Sequence, residues 1–458
     1  MMHKVLRQAH ELNIEQNAFS GAGSIAAALF TREQIKFYMG RPDEDHPATR
    51  AFRYAYFGGR FDTASIGEHP IAHQYDINSA YPSQVRNLPC LACAEWKRVK
   101  DFDPSLIGVW DVEWNNAHDY ELDYRFPPFP LRMKDGRICY PTRGAGWYHT
   151  SEVAAALTYD SYKCHIKVFR GWVIDPDSRC DHKPFDFVND LYKQRQQLKQ
   201  AGNFGEKILK LGMNAMYGKL AQAIGFTNPL TDEISVPPYQ SFFWAGMVTA
   251  GCRAQISTVL AKHDQNIISV ATDGIVSKVL IPELKISKEL GDWEYTSTNE
   301  LFVAQSGMYE YMNEEHNPVV RTRGIGRREV DFQKMRDAFR KFYEAGAPSE
   351  DVDNLKFQTS SRRFIRLGTA LKKTDGLATW RTWQAVIKSI TFVPKLKAKR
   401  LVDDRIELLP YEPPAVEADF EDEDQRSHTP EILRSCIYRP KSSWKEYRRL
   451  KDRDGIGE

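Results

Sequence analysis

The sequence predicts an α+β fold, and three stretches of the chain carry that prediction. Short β-type runs, separated by clusters of Pro, Gly and Asp, occupy Leu106 to Arg170. Helical spacing of apolar side chains recurs between residues 185 and 263. Two β-branched runs then flank Thr272-Asp273-Gly274, a strong signal for two strands joined by a tight turn.

The composition is that of a globular protein with a sizeable core. The chain has 458 residues, of which 42% are hydrophobic and 27% are charged. At about 100–200 residues per domain, this length suits two to four domains. These values exclude a fully disordered, collagen-like or disulfide-scaffold protein. The net charge of +2 argues against a wholly basic nucleic-acid coat but says nothing about local patches.

Neither a membrane span nor a signal peptide is visible in the sequence. The most apolar window, Phe242–Cys252, is eleven residues long, whereas a spanning helix needs about 20. The N-terminus is polar and has no apolar core of the kind that signal peptides carry. We therefore expect a cytoplasmic protein without a membrane partner.

Seven cysteines are scattered along the chain, an odd number that is typical of reduced thiols. Cys90 and Cys93 form a lone CxxC pair, and Cys180 has only His182 nearby in sequence. No second pair stands at the spacing of a zinc site. The sequence therefore favours incidental thiols over a metal site.

The first part of the chain is predicted to contain short elements. Residues 1–50 are expected to form a short helical connector. Residues 73–83 have a strand-like pattern that is expected to end in a turn at Pro82. Strands are expected within 106–170, except at 126–130, where three prolines exclude regular structure.

Two later helices are predicted to form a hairpin with basic residues on both arms. The first covers residues 185–200, Ala201-Gly202-Asn203 breaks it, and the second begins at about Phe204. Further helices are expected at about 241–263, where the sequence is apolar, and at 331–346.

Two acidic residues stand at predicted strand ends. Asp76 leaves a strand into a turn, and Asp273 lies in the tight turn between two buried strands. Each residue, taken alone, is an ordinary turn residue. If the two carboxylates meet in space, they could hold two divalent metals about 3.5–4 Å apart for phosphate transfer.

The second arm of the helical hairpin presents a polar face. Lys210, Asn214 and Tyr217 are spaced i, i+4 and i+7, so they share one side of the helix. Lys210 and Asn214 could bind phosphates there, and Tyr217 could stack on a base pair. The alternative is a solvated basic surface with one half-buried tyrosine, which is the common case for a helix considered alone.

These segments resemble the sequence motifs of family B DNA polymerases, and they occur in the family's order. Tyr75-Asp76-Ile77-Asn78-Ser79-Ala80-Tyr81-Pro82 resembles motif A (DxxSLYP), and the stretch from Lys210 to Gly218 resembles motif B (KxxxNSxYG). Ala271-Thr272-Asp273-Gly274 resembles motif C (DTDS). Upstream, Tyr56-Phe57-Gly58-Gly59 resembles the YxGG element of protein-primed phage members. The resemblance covers about residues 20–400.

The resemblance implies a right-hand fold with a palm β-sheet, helical fingers and a thumb. It implies that Asp76 and Asp273 are the catalytic, metal-binding carboxylates for two Mg²⁺ ions, with Mn²⁺ as an alternative, and that the carbonyl of Ile77 is a third ligand. Tyr81 would lie under the sugar and select dNTPs. The implied nucleotide-binding residues are Asn78, Ser79, Ala80, Tyr81, Arg195, Lys210, Asn214 and Tyr217. The implied DNA contacts of the two template-facing segments are Tyr56, Gly58, Gly59 and Gly218.

Motif C departs from the family pattern at one position. Ala271 replaces the usual first Asp, whereas Asp273, the residue that the family uses for metal, is present. Activity is therefore expected, with a lower metal affinity or rate.

The primer-binding KxY element of the family is also altered. In the stretch Gln305–Tyr309, Gly307 replaces the lysine while Tyr309 is retained as a primer contact. Arg321 and Arg323 lie in a stretch that resembles the KTRG element of primer-independent members. These two arginines could supply the missing positive charge and are included among the expected DNA-binding residues.

We expect no proofreading exonuclease in this chain. Only 55 residues precede Tyr56, and the family places its exonuclease before the YxGG region. The 57 positions from Asn214 to Ala271 leave little room for the hairpin that protein-primed members use for strand displacement. Strand displacement is therefore left open.

A strongly basic stretch covers residues 356–400. It holds twelve Lys and Arg residues against one acid, Asp375, and Trp380 and Trp383 interleave with them. A solvated helix would normally intersperse acids, so a phosphate-binding surface is favoured over a plain charged face. The expected DNA contacts here include Arg362, Arg363, Lys372 and Lys373.

The resemblance implies a domain layout and a function. The layout is residues 1–70 connector and template-binding element, 71–182 palm with motif A, 183–222 fingers, 223–330 palm with motif C, 331–405 thumb, and 406–458 acidic linker and charged tail. The function is template-directed dNTP addition to a primer 3′-hydroxyl in phage or mobile-element replication, in the host bacterial cytoplasm if phage-encoded. Expected partners are primer–template DNA and dNTPs, with a separate exonuclease subunit or a terminal protein as further candidates.

Two alternatives stay open at this stage. One is a primer-independent or protein-primed initiating polymerase of the same family. The other is a catalytically impaired DNA-binding subunit, which the substitutions at Ala271 and Gly307 would fit.

Overall fold

The structure is a computed structural model, and it describes the greater part of the chain. The described ranges are residues 2–15, 21–40, 46–115, 126–132, 138–141, 143–159, 165–222, 237–323, 330–344, 355–364 and 383–392. The helices in these ranges are α1 Met2–Glu11, α2 Ala22–Arg32, α3 Pro47–Tyr54, α4 Ala80–Val85, α5 Thr150–Ala156, α6 Phe187–Gln200, α7 Gly205–Leu220, α8 Phe242–His263 and α9 Phe332–Glu344. Short 3-10 helices cover Ile35–Tyr38, Pro176–Ser178 and Asp264–Asn266.

The strands fall into four antiparallel sheets. Their bounds are β1 Phe61–Thr63, β2 Gly67–Ile77, β3 Trp96–Val99, β4 Gly108–Asn115, β5 Leu131–Arg132, β6 Ile138–Cys139, β7 Arg143–His149, β8 Ile166–Ile174, β9 Ile267–Ala271, β10 Gly274–Ser277, β11 Trp293–Gln305, β12 Met308–Met312, β13 Pro318–Arg321, β14 Leu355–Phe364 and β15 Trp383–Phe392. The predicted α+β class is confirmed.

The largest sheet has seven strands in the order β1-β9-β10-β2-β11-β12-β13. Its central strand, β2, pairs with β11 on one side and with β10 on the other. Because β9 and β10 are joined by a tight turn, that turn and the C-terminal end of β2 lie at the same edge of the sheet. This edge carries the two predicted acidic residues.

A four-stranded sheet has the strand order β3-β8-β4-β7. Its aromatic side chains share one hydrophobic core with apolar side chains of the seven-stranded sheet. Trp110 and Trp114 on β4 are fully buried. Each indole N–H has a partner, since Trp110 donates to the Thr150 hydroxyl at 2.9 Å and Trp114 to the Pro141 carbonyl at 3.1 Å. The burial of these large rings is therefore achieved without an unsatisfied donor.

The predicted helical hairpin is formed by α6 and α7, and the N-terminal helices pack onto it. A side chain at Gly212 of α7 would meet Ile25 at 2.7 Å and Leu29 at 3.1 Å, so the glycine lets α2 approach closely. Residues 1–50 were predicted to form a short helical connector, and helices are found there. In addition, α2 contributes a buried apolar face to the hydrophobic core of the hairpin.

Helix α8 joins two hydrophobic cores. Trp244 and Val248 in its first half lie in the core with the helical hairpin, whereas Cys252, Ile256 and Leu260 lie in the core beneath the sheets. A helix that is apolar on all sides is expected to be buried on all sides. Within the described ranges, no helix combines the length and the apolarity that crossing a bilayer would require.

The final described elements cover the far end of the large sheet. Phe332, Met335 and Phe339 of α9 pack against it in a third hydrophobic core. Beyond α9, strands β14 and β15 pair along ten residues each. Arg362 and Arg363 lie on β14, whereas Lys372, Lys373 and residues 406–458 lie outside the described residues.

One local prediction around the first acidic residue was wrong. The chain was expected to turn at Pro82, but the strand ends at Ile77 and Pro82 lies in the first turn of α4. Proline is tolerated there because the first N–H groups of a helix have no partner within the helix.

Candidate active site

The two predicted acidic residues come together at the edge of the large sheet. Asp76, the second-last residue of β2, is paired with Gly274, the first residue of β10. The Ile77 N–H donates to the Asp273 carbonyl at 2.8 Å. This bond ties the end of the motif A strand directly to the motif C turn, so the carboxylates are held on adjacent, rigid backbone segments.

The predicted tight turn between β9 and β10 is confirmed. Its two loop residues are Thr272 and Asp273, since Ala271 pairs with Gly274 across the strands. Thr272 has a φ of 56°, a conformation that β-branched residues rarely adopt. The Thr272 N–H donates to Arg60 O and the Asp273 N–H donates to Ala271 O, both at 2.6 Å. The surrounding bonds thus impose a strained turn at the position of the acidic residue.

Position 274 needs a glycine because the Asp76 carboxylate occupies the space of a side chain, and not because of the backbone φ angle. A Cβ atom at this position would lie 2.3 Å from Oδ1 of Asp76. Any side chain at Gly274 would therefore displace that carboxylate.

Mutual repulsion is built into the site. Asp76 and Asp273 are accessible to solvent, yet the surrounding protein removes part of their hydration. This desolvation, with the charges of Asp273 and Glu294, raises the pKa of Asp76 to about 6, against a smaller lowering by Arg321. Desolvation also raises the pKa of Asp273. A cation bound between the carboxylates would relieve this repulsion.

Glu294 is an acidic residue of the site that sequence reasoning missed. It lies on β11 directly opposite Asp76, and opposite residues of an antiparallel pair share one face of the sheet. Only the register between β2 and β11 identifies it, because nothing in its local sequence sets it apart.

Three tyrosines from different motifs form a cluster beside the carboxylates. The Tyr56 and Tyr217 hydroxyls are 2.9 Å apart, and the ring centroids of Tyr81 and Tyr217 are 4.6 Å apart. A Cβ atom at Gly59 would lie 2.8 Å from Thr272 and 3.1 Å from the Tyr81 hydroxyl. The YxGG-like element therefore meets motifs A, B and C at a single place.

Arg253 of α8 anchors this element and was also missed in the sequence. It is 2% exposed, and its Nε donates to Glu152 at 2.8 Å. Its Nη1 donates to the carbonyls of Phe57 at 2.7 Å and Gly58 at 2.6 Å. An arginine within an otherwise apolar helix was the available sequence signal, since buried charges need partners.

The predicted phosphate-binding residues lie on α6 and α7, two helices that contact α4. Arg195 of α6 donates to the Ser79 hydroxyl at 3.2 Å, and Ser79 has a φ of 49°. Lys210 and Asn214 are exposed on α7, which packs against α4.

Asn78 has a structural role that the sequence did not indicate. Its backbone N–H donates to Asp292 O at 2.8 Å and its side chain donates to Ser287 O at 2.7 Å. These bonds fix the segment between β2 and α4. The first N–H groups of α4 have no partner within the helix and point away from its start.

The predicted primer side also meets the carboxylates. Tyr309 on β12 is paired with Arg321 on β13, and burial, together with the charge of Asp76, raises the pKa of Tyr309. At Gly307, an added Cβ atom would lie 3.0 Å from the Arg323 side chain. Arginine side chains thus occupy the region from which the motif's lysine is missing.

The donor set at the sheet edge fits divalent magnesium. The two carboxylates and a backbone carbonyl are hard oxygen ligands, which Mg²⁺ prefers. Desolvation raises the pKa of both carboxyls, and the charges of Asp273 and Glu294 raise that of Asp76 further. Asp76, Asp273 and the carbonyl of Ile77 would hold the metal.

Comparison with known proteins places the chain in a family. A sequence model of DNA polymerase type B, organellar and viral, matches residues 1–231, half of the chain. The chain belongs to this family, whose members are DNA-directed DNA polymerases and use divalent metal ions.

One viral and one bacterial relative are similar to the chain over part of their length. The DNA polymerase of Acidianus bottle-shaped virus (isolate Italy/Pozzuoli) is 27% identical over 281 residues, which cover 59% of this chain and 40% of that protein. The primer-independent DNA polymerase PolB of Escherichia coli is 24% identical over 252 residues, covering 51% and 28%. The chain thus spans less than half the length of these relatives.

Solved structures share the fold. Phi29 DNA polymerase complexed with primer–template DNA superposes with a TM-score of 0.59 at 15% identity, covering 85% of this chain and 70% of that one. Its ternary complex with incoming nucleotide gives a TM-score of 0.56 at 15% identity, covering 84% and 69%. The chain therefore has the right-hand polymerase fold.

Replacing Gly274 with Ala should impair catalysis without unfolding the protein. The new methyl group would push the Asp76 carboxylate from its position, and displacement of a reacting group by about 1 Å costs roughly a hundredfold in rate. DNA polymerase activity at a saturating concentration of divalent metal should fall by about that factor. Gly23→Ala on α2 is the control, since its nearest neighbour would be at 3.4 Å; equal loss in both variants would contradict this account.

Replacing Arg253 with Met should destabilise the fold and loosen the YxGG-like element. Glu152 would be left buried and unpaired, which costs about 3–5 kcal/mol of the free energy of unfolding. Denaturant titration measures this loss. Adding Glu152→Gln to Arg253→Met should cost less than the sum of the single changes, and simple additivity would show that the ion pair is not the source.

Proposed function

We propose that this chain is a DNA-directed DNA polymerase that adds dNTPs to a primer 3′-hydroxyl on a template. The observation that carries the proposal is the meeting of Asp76 and Asp273 at one sheet edge, with the tyrosine cluster beside them. The family assignment and the shared fold support the same reaction. The reaction joins the primer 3′-oxygen to the α-phosphate of the dNTP and releases pyrophosphate.

The carboxylates would position the reacting groups through bound metal. Two Mg²⁺ ions, with Mn²⁺ as an alternative, would lower the pKa of the attacking hydroxyl and neutralise charge on the phosphates. Asp76 and Asp273 would hold the ions with the carbonyl of Ile77. The absence of a carboxylate at Ala271 removes a charge from the exposed end of β9, but both metal-binding positions are kept.

The tyrosine cluster would define the pocket for the nascent base pair. Tyr81 would contact the dNTP sugar, because it lies between the strand end and Tyr217. A ribose 2′-hydroxyl would meet the Tyr81 ring, so dNTPs would be preferred. Tyr217 would pack on the base pair, while Tyr56 and the adjacent glycines would contact the template strand, together with Gly218.

The triphosphate would lie along the start of α4. Lys210 and Asn214 on α7 and Arg195 on α6 would bind its oxygens, and the N–H groups at the start of α4 would add donors. Those N–H groups belong to Ala80 and the residues beside it. Arg195 already contacts Ser79, and its ion pair with Glu206 keeps it extended towards the site.

Primer and duplex would be held by the far end of the chain. Tyr309 would contact the primer terminus, and Arg321 and Arg323 would supply the positive charge that the altered KxY element lacks. The basic stretch, with Arg362, Arg363, Lys372 and Lys373, would bind duplex phosphates, so affinity should fall as salt rises. In this assignment residues 183–222 are the fingers and residues 331–405 the thumb.

We further propose that residues 2–54, in the part that the structure describes, do not form a proofreading site. The described part of residues 2–54 consists of helices and turns, whereas the family's exonuclease needs its own paired carboxylates. A primer with a 3′-mismatch offered to the chain alone should be left intact, and its excision would refute this proposal. A separate exonuclease subunit and a terminal protein stay predictions.

Primer-independent initiation is a second candidate function. The stretch Arg321–Gly324 resembles a motif of primer-independent members, and one relative is named a primer-independent DNA polymerase. Single-stranded template without primer is the test. Product would favour initiation, whereas incorporation only on primed template would favour plain extension.

Asp76→Ala and Asp273→Ala should each abolish primer extension while leaving duplex binding largely intact. The carboxylates would bind metal, whereas duplex affinity would come from basic side chains elsewhere. Single-turnover extension and binding to labelled primer–template, measured on the same samples, test both parts. Retained extension in either variant would contradict the assignment, and failure of the wild type to incorporate dNTPs would favour the DNA-binding subunit.

The magnesium requirement should rise as the pH falls through about 6. Protonated Asp76 cannot bind metal, and the pKa of Asp76 is raised, so protons compete with Mg²⁺ at a higher pH than for an ordinary carboxyl. Below the pKa, the half-saturating Mg²⁺ concentration should rise by about tenfold per pH unit. A value that does not change with pH, while DNA binding stays constant, would contradict the role of Asp76.

A further inference from the structure

Four possible metal ligands from two distant segments meet in the structure. Cys90 and Cys93 lie between α4 and β3, and Cys180 and His182 lie between β8 and α6. One ligand atom from each of the four residues lies within 4.8 Å of all the others. The sequence favoured incidental thiols because 87 positions separate Cys93 from Cys180. In the folded protein, the two segments are adjacent in space.

Two of the distances within the cluster match those of a tetrahedral site. The Cys90 and Cys93 sulfurs are 3.8 Å apart, and the Cys93 sulfur is 3.7 Å from Nδ1 of His182. Ligands bound to zinc at about 2.3 Å in a tetrahedron are themselves about 3.8 Å apart. A disulfide would need sulfurs about 2.05 Å apart, and these cysteines are free thiols.

Hydrogen bonds fix the backbone around the cluster. The N–H groups of Leu91 and Ala92 donate to the Tyr38 carbonyl at 2.8 and 3.0 Å, which anchors the first segment to the 3-10 helix Ile35–Tyr38. Across the cluster, the Asp175 N–H donates to Glu95 O at 2.8 Å, and the Glu95 N–H donates to the Ser178 hydroxyl at 3.0 Å. The ligands are therefore brought together by a built scaffold and not by side-chain flexibility.

We propose that Cys90, Cys93, Cys180 and His182 bind one structural Zn²⁺ ion. Four protein ligands complete a tetrahedral shell and leave no position for substrate, which is the arrangement of structural zinc sites. Soft thiolates select Zn²⁺ over the Mg²⁺ expected at the carboxylates. The site is thus separate from the reaction centre and does not depend on the proposed function.

The position of the site gives it a mechanical role. Cys180 lies seven residues before α6, the first helix of the hairpin that carries Arg195. The bound ion would clamp this approach to the loop after α4 and to the 3-10 helix that ends at Tyr38. It would therefore fix the base of the hairpin relative to the large sheet.

The cluster is open to solvent on one side. Cys90 is buried while His182 is exposed, which leaves a side through which the ion can enter.

Metal content of the full chain, purified without a metal-chelating tag, tests the proposal. Wild type should retain about one equivalent of zinc per chain after dialysis against magnesium buffer, and X-ray absorption should report three sulfur ligands and one nitrogen ligand. Cys90→Ser and Cys180→Ser should lose most of the zinc and unfold at a lower temperature. Cys139→Ala, which removes a buried thiol elsewhere on β6, should keep it.

Wild-type measurements keep the proposal testable even if the serine variants fail to fold. Addition of Co²⁺ to metal-free wild type should give the absorption bands of a tetrahedral thiolate site. Wild type that retains no zinc and gives no such bands, or Cys180→Ser that retains a full equivalent, would overturn the proposal. A disulfide between Cys90 and Cys93 in freshly purified protein would overturn it as well.

Discussion

The buried ion pair between Arg253 and Glu152 is the constraint on which the site depends. A guanidinium in the middle of an apolar helix needs partners for its charge. Here Nε donates to the Glu152 carboxylate and Nη1 donates to the carbonyls of Phe57 and Gly58, whereas Nη2 has no hydrogen-bond partner among the described residues. The Thr249 hydroxyl also donates to the Phe57 carbonyl at 2.7 Å. The loop that carries Tyr56 is therefore held by side chains of α8. Tyr56 in turn holds Tyr217 through the contact between their hydroxyl groups.

The carboxylate edge is arranged for binding a cation rather than for stability. Desolvation and the charges of Asp273 and Glu294 disfavour the Asp76 anion, and the turn at Thr272 has an unfavourable backbone conformation. The large antiparallel sheet and α8 stabilise the surrounding structure, so the fold can include this unfavourable charge and backbone conformation. Strain and shifted pKa values that are held in place by a rigid surround are typical of functional sites.

The two proposed metal sites differ in chemistry and in position. Oxygen ligands at the edge of a sheet suit Mg²⁺, which exchanges readily and keeps water ligands. Sulfur and nitrogen ligands in loops at the base of the α6–α7 hairpin suit Zn²⁺, which would stay bound. One site would thus act in the reaction and the other would hold in place the helices that bind the nucleotide.

The sequence by itself determined the elements and much of the site. Apolar periodicity, which is a local pattern, predicted α6, α7 and α8, and the resemblance to polymerase motifs implied that Asp76, Asp273 and Tyr217 act together. Only the tertiary structure decided the partners of Arg253, the place of Glu294 opposite Asp76, and the gathering of the cysteines with His182. Those contacts join segments far apart in the chain, and strand register and helix packing set them. Local sequence carries no record of either, which is why the N-terminal helices were expected to be a connector and the thiols to be incidental.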